Sequence, residues 1–89
     1  MADLKVDVVA ADRTVWSGAA RSVVVPAVGG ELGILKGHEP VMAVLAAGEV
    51  RVASTSGDTE MTHDIEGGFV SVDDDYVTVV IDTPVHVEA

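Results

Sequence analysis

Three histidines, His38, His63 and His86, are the side chains of this sequence best suited to bind a metal ion. A histidine metal site usually shows short ligand spacing, such as two histidines four residues apart on one helix. These three fall on three different predicted elements and share no such spacing. We therefore predict no metal site and interpret the histidines as partly exposed strand or loop residues.

Two further segments have the composition of an ion site without its spacing. The run Asp73-Asp74-Asp75 offers carboxylates to Ca²⁺, yet a calcium loop needs acids at alternate positions, a central glycine and a distal glutamate. The glycines of Gly29–Gly33 suggest a phosphate cradle, but no lysine-serine pair ends the run and Glu31 would repel an anion. We interpret the aspartates as a solvated hairpin turn, or alternatively as a contact for a partner's arginine, and we predict no cofactor.

Catalytic groups are equally hard to find in this chain. No serine stands in a recognisable nucleophile motif with a histidine and an acid. The chain contains no cysteine, which removes thiolate chemistry and a disulfide framework. We predict that the protein is not an enzyme.

The charge of the chain restricts its partners. Fifteen acidic and five basic side chains give a formal net charge of -10, which repels nucleic-acid phosphates and anionic lipid head groups. The apolar runs are shorter than the roughly 20 residues that span a bilayer, and the N-terminus lacks the layout of a secretion signal. We predict a cytosolic protein that binds no nucleic acid, inserts into no lipid and prefers basic or polar protein partners.

The composition favours β-structure. Roughly a fifth of the residues are valine, a type that suits pleated, half-buried surfaces. Turn signals recur every 8 to 12 residues between short alternating runs, which is typical of an antiparallel sandwich. We predict an all-β fold, an antiparallel β-sandwich of about ten short strands, in a single domain over residues 1–89.

The first half of the chain shows both strand periodicity and strand breakers. Leu4–Val9 alternates apolar and polar residues, so we predict that Leu4, Val6 and Val8 face the core. Thr14–Trp16 is predicted as a second strand that Gly18 breaks.

The later segments are predicted from their apolar runs and their turn residues. Arg21–Val25 is predicted as a third element that Pro26 ends. Val41–Leu45 is apolar throughout and fits a strand, with a short helix to Ala47 as the alternative. Ser54–Asp58 is predicted as a hairpin loop, because small polar residues and glycine favour tight turns. Phe69–Val72 and Tyr76–Ile81 are predicted to pair as a final hairpin.

Two motifs connect the chain to a known family. The segment Gly30–Pro40 reads Gly-Glu-Leu-Gly-Ile-Leu-Lys-Gly-His-Glu-Pro, and Glu66–Val72 reads Glu-Gly-Gly-Phe-Val-Ser-Val. This pattern resembles the ε subunit of the bacterial F-type ATP synthase. The opening strand Leu4–Val9 and the turn Trp16-Ser17-Gly18 are similar as well, so the resemblance covers nearly the whole chain.

The resemblance implies a non-catalytic rotor subunit of a proton-translocating ATP synthase. Such a subunit joins the γ shaft to the c-ring and couples ion-driven rotation to ATP synthesis, as a peripheral part of the complex on the cytoplasmic face of the cell membrane. A rigid sheet pair suits that role, because packed interiors transmit strain. The alternative is a free-standing β-sandwich adaptor that binds a peptide or a small ligand.

The resemblance also implies contact residues. Glu31, Leu32 and Gly33 are expected to meet the polar loops of the c-ring, where a carboxylate would face basic residues. Taken alone, Glu31 is equally an edge-strand carboxylate that protects against aggregation.

Three further positions, Ala10, His38 and Ala43, are expected to face the γ subunit. Small core residues would give the same pattern at the two alanines.

The end of the chain departs from the family pattern. Family members usually carry a C-terminal pair of helices, whereas five residues follow Pro84 here, and isolated helices shorter than about 12 residues are marginal. We expect the helical pair to be absent, and with it the ATP-sensing and inhibitory properties of longer relatives.

Overall fold

The computed structural model describes residues 3–82, and these residues form nine β-strands and no helix. In chain order the strands are β1 (Leu4–Ala10), β2 (Arg13–Ala20), β3 (Ser22–Ala27), β4 (Gly30–Leu35), β5 (Val41–Leu45), β6 (Gly48–Ala53), β7 (Thr59–Ile65), β8 (Gly67–Asp73) and β9 (Tyr76–Asp82).

The strands form the two layers of a sandwich. They are hydrogen-bonded in one continuous order, β2-β1-β9-β8-β5-β3-β6-β7, with β4 paired to β3. We call the layer β2-β1-β9-β8-β5 the first sheet and the layer β4-β3-β6-β7 the second. The sheets join at one corner, where Ala27 of β3 pairs with Leu45 of β5. The predicted all-β sandwich is confirmed, with nine strands in the described region against the expected ten or so. One pair, β1 with β9, is parallel. It places the first and the last described strands side by side.

The core lies between the sheets and is entirely apolar. Sixteen side chains are buried there, and among residues 3–82 no polar or charged residue is buried with them. The prediction that Leu4, Val6 and Val8 face the core is confirmed. The complete set is Leu4, Val6, Val8, Ala20, Val23, Val25, Ile34, Leu45, Val50, Val52, Ile65, Val70, Val72, Val77, Val79 and Ile81.

The prediction that Gly18 breaks the second strand is wrong. Strand β2 continues through Gly18 to Ala20, and Gly18 pairs with Val6 of β1. A Cβ atom placed on Gly18 would lie 3.2 Å from two carbons of the Trp16 ring. The missing side chain therefore makes room for the indole within a continuous strand.

The prediction that Pro26 ends the third strand is also wrong, since β3 continues to Ala27. Pro26 lies where β3 changes partner, between the pair Val24 and Arg51 on β6 and the pair Ala27 and Leu45 on β5. Proline has no N–H to give to a ladder. A position between two ladders tolerates that loss.

The segment Val41–Leu45 forms a strand, as predicted, and not the alternative short helix. In β5 the residues Val41, Ala43 and Leu45 pack toward the core, whereas Met42 and Val44 are exposed. This alternation has the period of two that a strand requires. The sequence does not show this alternation, because the outward positions Met42 and Val44 are apolar as well.

Two predicted turns are confirmed. In the loop Ser54–Asp58, the Ser54 N–H donates to the Asp58 carbonyl at 2.7 Å, and the strands β6 and β7 pair on either side. Strands β8 and β9 form the final hairpin. The C-terminal segment Pro84–Ala89, including His86, lies outside the described residues.

Gly68 is required by its backbone and by its surroundings. Its φ is +139°, and a Cβ atom there would lie 2.0 Å from the carbonyl oxygen of Val80 on β9. We expect Gly68→Ala to destabilise the fold by about 3 kcal/mol or more, because both the conformation and the contact are forbidden to an L side chain. Urea unfolding followed by circular dichroism measures the change.

Gly67→Ala is the matched control for this experiment. A Cβ atom on Gly67 would make only ordinary contacts, 3.6 Å from the Leu45 carbonyl oxygen, so we expect a change within about 1 kcal/mol. Equal stability of the two alanine variants would contradict the packing described for β8 and β9.

Candidate protein-binding surfaces

The outer face of the first sheet carries a line of apolar side chains. Val9 pairs with Val80, Val80 with Phe69, and Phe69 with Val44. Directly paired residues share a sheet face, so these four side chains form one row across β1, β9, β8 and β5. Met42 lies two residues before Val44 on the same face. We call these five residues the apolar stripe.

Three of the five side chains in the apolar stripe are open to solvent in the isolated chain. Met42, Val44 and Phe69 are 73%, 65% and 40% exposed, whereas Val9 and Val80 are half-buried. Contiguous apolar surface of this kind, bordered by polar residues, marks sites where proteins bind partners. Sequence reasoning did not select these residues. The available signal was the segment Val41–Leu45, which is apolar at inward and outward positions alike.

The three residues expected at the γ subunit are not brought together by the fold. Ala10 follows Val9 at the end of β1, and Ala43 lies between Met42 and Val44. Both alanines also pack against the core. His38 lies in the connection between β4 and β5 and is half-buried.

The three residues expected at the c-ring lie on β4, an edge strand of the second sheet. Glu31 and Gly33 are exposed, whereas Leu32 packs against the core. Arg51 of β6 reaches across β3 and places its Nη2 atom 3.5 Å from Glu31 Oε2, while its Nε atom lies 3.9 Å from Glu49 Oε1. The positive charge of Arg51 is thus shared between two acids, so the group retains a net negative charge.

The β3–β4 hairpin brings the two surfaces together. Val28 at its tip is 69% exposed, and the Val28 N–H donates to the carbonyl of Val44 at 3.0 Å. On the other side of the corner, the Ala46 N–H donates to the Pro26 carbonyl at 2.7 Å. The end of the apolar stripe therefore touches the hairpin that leads into Glu31.

A polar cluster borders the apolar stripe on β1. The Ser17 hydroxyl donates to Asp7 Oδ1 at 2.6 Å, and the Tyr76 hydroxyl donates to Asp7 Oδ2. Hydrogen bonds to a carboxylate favour its charged form. These bonds lower the pKa of Asp7, with the bond from Ser17 as the larger cause and the bond from Tyr76 as the second. The bond between Tyr76 and Asp7 also raises the pKa of Tyr76.

The connection between β4 and β5 is bonded to the β8–β9 hairpin. Lys36 Nζ donates to Asp75 Oδ2 at 2.8 Å, and the Gly37 N–H donates to Asp75 Oδ1 at 2.8 Å. These contacts, the lysine first, lower the pKa of Asp75. Together the segments border a shallow cleft lined by residues 37–40 and 73–75.

The ion sites and membrane spans that were considered from the sequence can be compared with the described residues. Within residues 3–82, no three histidine or acidic side chains lie close enough to hold a metal ion. In the run Asp73-Asp74-Asp75, Asp73 ends β8 and pairs with Tyr76, and Asp74 and Asp75 form the turn of the last hairpin with positive φ. No helix that is long and apolar enough to cross a membrane occurs in this part of the chain.

The fold and these surfaces define a small β-sandwich that offers faces to protein partners. Residues 3–87 match the family described as ATP synthase, Delta/Epsilon chain, beta-sandwich domain. The chain belongs to this family, which makes it a non-catalytic subunit of the ATP synthase assembly.

Curated relatives support the assignment. The chain is 51% identical over 79 residues to the ATP synthase epsilon chain of Micrococcus luteus, covering 89% of this chain and 86% of that one. It is 40% identical over 83 residues to the epsilon chain of Chromohalobacter salexigens, covering 93% of this chain and 58% of that one. With the epsilon chain of Streptomyces griseus it shares 40% identity over 79 residues, 89% of this chain and 63% of the relative.

Solved structures show the same fold. A chain in the Euglena gracilis mitochondrial ATP synthase, in a structure of OSCP, F1 and the c-ring, matches with a TM-score of 0.83 and 25% identity. A chain in the central stalk and c-ring of the Tetrahymena thermophila enzyme matches with a TM-score of 0.77 and 15% identity. Each match covers 91% of this chain, and 51% and 64% of those longer chains.

The hydrogen bonds to Asp7 predict an acid dependence of stability. The pKa of Asp7 lies below its ordinary value of 3.8 in the folded chain, so its contribution is complete above that value. The contribution is lost as the pH falls through the lower folded-state pKa. We expect Ser17→Ala to raise the pKa of Asp7, and to make unfolding free energy fall less steeply below about pH 4. Carboxyl ¹³C NMR titration measures the pKa.

Ser71→Ala serves as the control for this titration. Ser71 lies on the same outer face, in the row of Thr78 and Met42, but its hydroxyl makes no bond to Asp7. Identical titration of Asp7 in both alanine variants would show that the Ser17 bond is not formed in solution.

Proposed function

We propose that this chain is a central-stalk rotor subunit of a proton-translocating F-type ATP synthase, joining the γ shaft to the c-ring. It belongs to the ATP synthase delta/epsilon family, and the relatives with which it shares 40% to 51% identity are ATP synthase epsilon chains. The observation that carries the proposal is the exposed apolar stripe. A domain with so small a core gains nothing from exposing Met42 and Val44 unless a partner covers them.

The γ subunit is the proposed occupant of the apolar stripe. Of the positions implied by the family resemblance, Ala10 and Ala43 adjoin stripe residues along their strands, and His38 lies in the connection that leads into β5. The side chains of both alanines pack toward the core, so the outward side chains of the stripe itself would make the contact. Burial of the large outward side chains Met42 and Phe69 would supply the affinity, since buried apolar anchors dominate interface energetics.

The polar loops of the c-ring are the proposed partner of β4. Glu31 is presented on an edge strand beside an exposed hairpin tip, and Arg51 balances only part of the local acidic charge. A basic loop residue can pair with Glu31 without displacing a buried contact. The chain as a whole is also strongly acidic, and its net charge of -10 likewise favours basic partners.

The position of the two surfaces suits a coupling element. The tip of the β3–β4 hairpin is bonded to Val44 of the apolar stripe, so a force on the c-ring side reaches the γ side through short hydrogen bonds and a packed core. Close-packed interiors transmit strain. The proposed location is the cytoplasmic face of the cell membrane, as a peripheral part of the complex.

Binding to γ tests the apolar stripe. We expect the chain and the γ subunit from the same source to form a one-to-one complex in size-exclusion chromatography with mass detection at tens of micromolar. Val44→Asp should weaken the affinity by about tenfold or more, because it buries a charge at the interface. Thr62→Asp, an exposed position on β7 of the other sheet, is the matched control and should bind normally.

Two results would count against this assignment. Equal binding by both aspartate variants, each with an unchanged melting temperature, would remove the apolar stripe from the γ interface. Failure of the unsubstituted chain to bind γ would favour a free-standing adaptor instead.

Charge reversal tests the c-ring contact in the assembled enzyme. We expect Glu31→Lys to lower ATP-driven proton pumping by about 3- to 10-fold while ATP hydrolysis continues, because a lysine would repel both Arg51 and basic loop residues. Acridine-dye quenching in membrane vesicles measures pumping. Glu60→Lys makes the same charge change at the opposite end of the second sheet and should pump normally; loss of pumping in both variants, or in neither, would refute the contact at Glu31.

A further inference from the structure

We propose that Asp75 is a positioning residue for the γ-binding surface: it fastens the segment Lys36–Pro40 to the β8–β9 hairpin and so holds His38 in place. The proposal rests on the proposed function, because His38 matters here as a γ contact. Asp75 itself need not touch γ. Its carboxylate acts through the segment that it holds.

The two oxygens of Asp75 bond to two successive residues of the segment. Oδ2 accepts from Lys36 Nζ and Oδ1 from the Gly37 N–H, each at 2.8 Å. Within the described part of the chain, these are the side-chain hydrogen bonds that join residues 36–40 to another element. The carboxylate therefore restrains both position and orientation of the segment, as a two-point contact does.

Bonds inside the segment pass this restraint on to His38. The His38 N–H donates to the Leu35 carbonyl at 3.1 Å, which closes a turn around Lys36 and Gly37. The His38 ring nitrogen Nδ1 lies 2.7 Å from the Glu39 carbonyl and donates to it. The imidazole is thus tied to its own loop. The loop in turn is tied to Asp75.

The backbone of the hairpin turn fixes where this carboxylate is presented. Asp75 has φ +62° and Asp74 has φ +52°, in the left-handed region that glycine, asparagine and aspartate adopt in hairpin turns. The Asp75 carbonyl also accepts from the Lys5 N–H at 2.9 Å, which connects the turn to β1. Of the two neighbouring aspartates in this conformation, Asp75 is the one whose side chain is bonded to the loop.

The paired variants Asp75→Gly and Asp74→Gly separate this role from charge and from backbone strain. Each substitution removes one carboxylate from the same turn, and each relieves one left-handed residue. Only Asp75→Gly removes the bonds to Lys36 and Gly37. Asp75→Asn is a conservative third variant, because its amide oxygen can still accept from the Gly37 N–H while the ion pair with Lys36 is lost.

Amide hydrogen exchange of the isolated chain reports on the loop. We expect the Gly37 amide to exchange about tenfold or more faster in Asp75→Gly, because the amide loses its acceptor. Exchange at Gly37 should be unchanged in Asp74→Gly and intermediate in Asp75→Asn. Unchanged exchange in Asp75→Gly would overturn the proposal before any partner is added.

Affinity for the γ subunit, measured by calorimetric titration, reports on the role in binding. We expect Asp75→Gly to bind about 3- to 10-fold more weakly, because γ must then order the loop, and Asp74→Gly to bind within about twofold of the unsubstituted chain. Equal affinity of the two glycine variants, with the unsubstituted chain binding normally, would overturn the role of Asp75 alone. Failure of the unsubstituted chain to bind would overturn the proposed function and this inference together.

Discussion

The packing of two inner sheet faces against each other is the constraint on which the rest of this structure depends. The buried set is dominated by valine, whose branched side chain has few rotamers to lose and packs well on a pleated surface. Because successive side chains in a strand point to opposite faces, burial of Val70 and Val79 directs Phe69 and Val80 outward. A shift of one residue would exchange the two sets. The core therefore also determines which residues partners can reach.

The corner between the sheets is the second determinant. Pro26 and the pair Ala27 and Leu45 let β3 pass from one neighbour to another without an unsatisfied donor in the ladder. The same corner brings the tip of the β3–β4 hairpin against Val44. The same residues that solve a local problem of hydrogen bonding thus make β4, with Glu31, a neighbour of the apolar stripe, as the proposed function requires.

The loops between the strands must also be held in place. Segments that contact partners lie on the surface, where backbone groups can be solvated, but they must be restrained to bind well. In the connection between β4 and β5 the restraint comes from a charged side chain, because Asp75 is bonded to Lys36 and Gly37. Such contacts connect segments far apart in sequence without adding buried polar groups to a small apolar core.

Periodicity and turn chemistry are local properties, and the sequence alone determined the features that depend on them: the all-β class, the inward face of Leu4, Val6 and Val8, the loop Ser54–Asp58, and a family pattern in Gly30–Pro40. Breakers were misread because their effect is not local. Gly18 lies under the Trp16 ring and Pro26 lies between two ladders, and both facts depend on neighbouring strands. The tertiary structure alone decided the parallel pairing of β1 with β9, the alignment of Val9, Val80, Phe69 and Val44, and the contact of Asp75 with residues 36–37. Each brings together residues from distant parts of the chain, and a pattern with a period of two carries no information on which strands become neighbours.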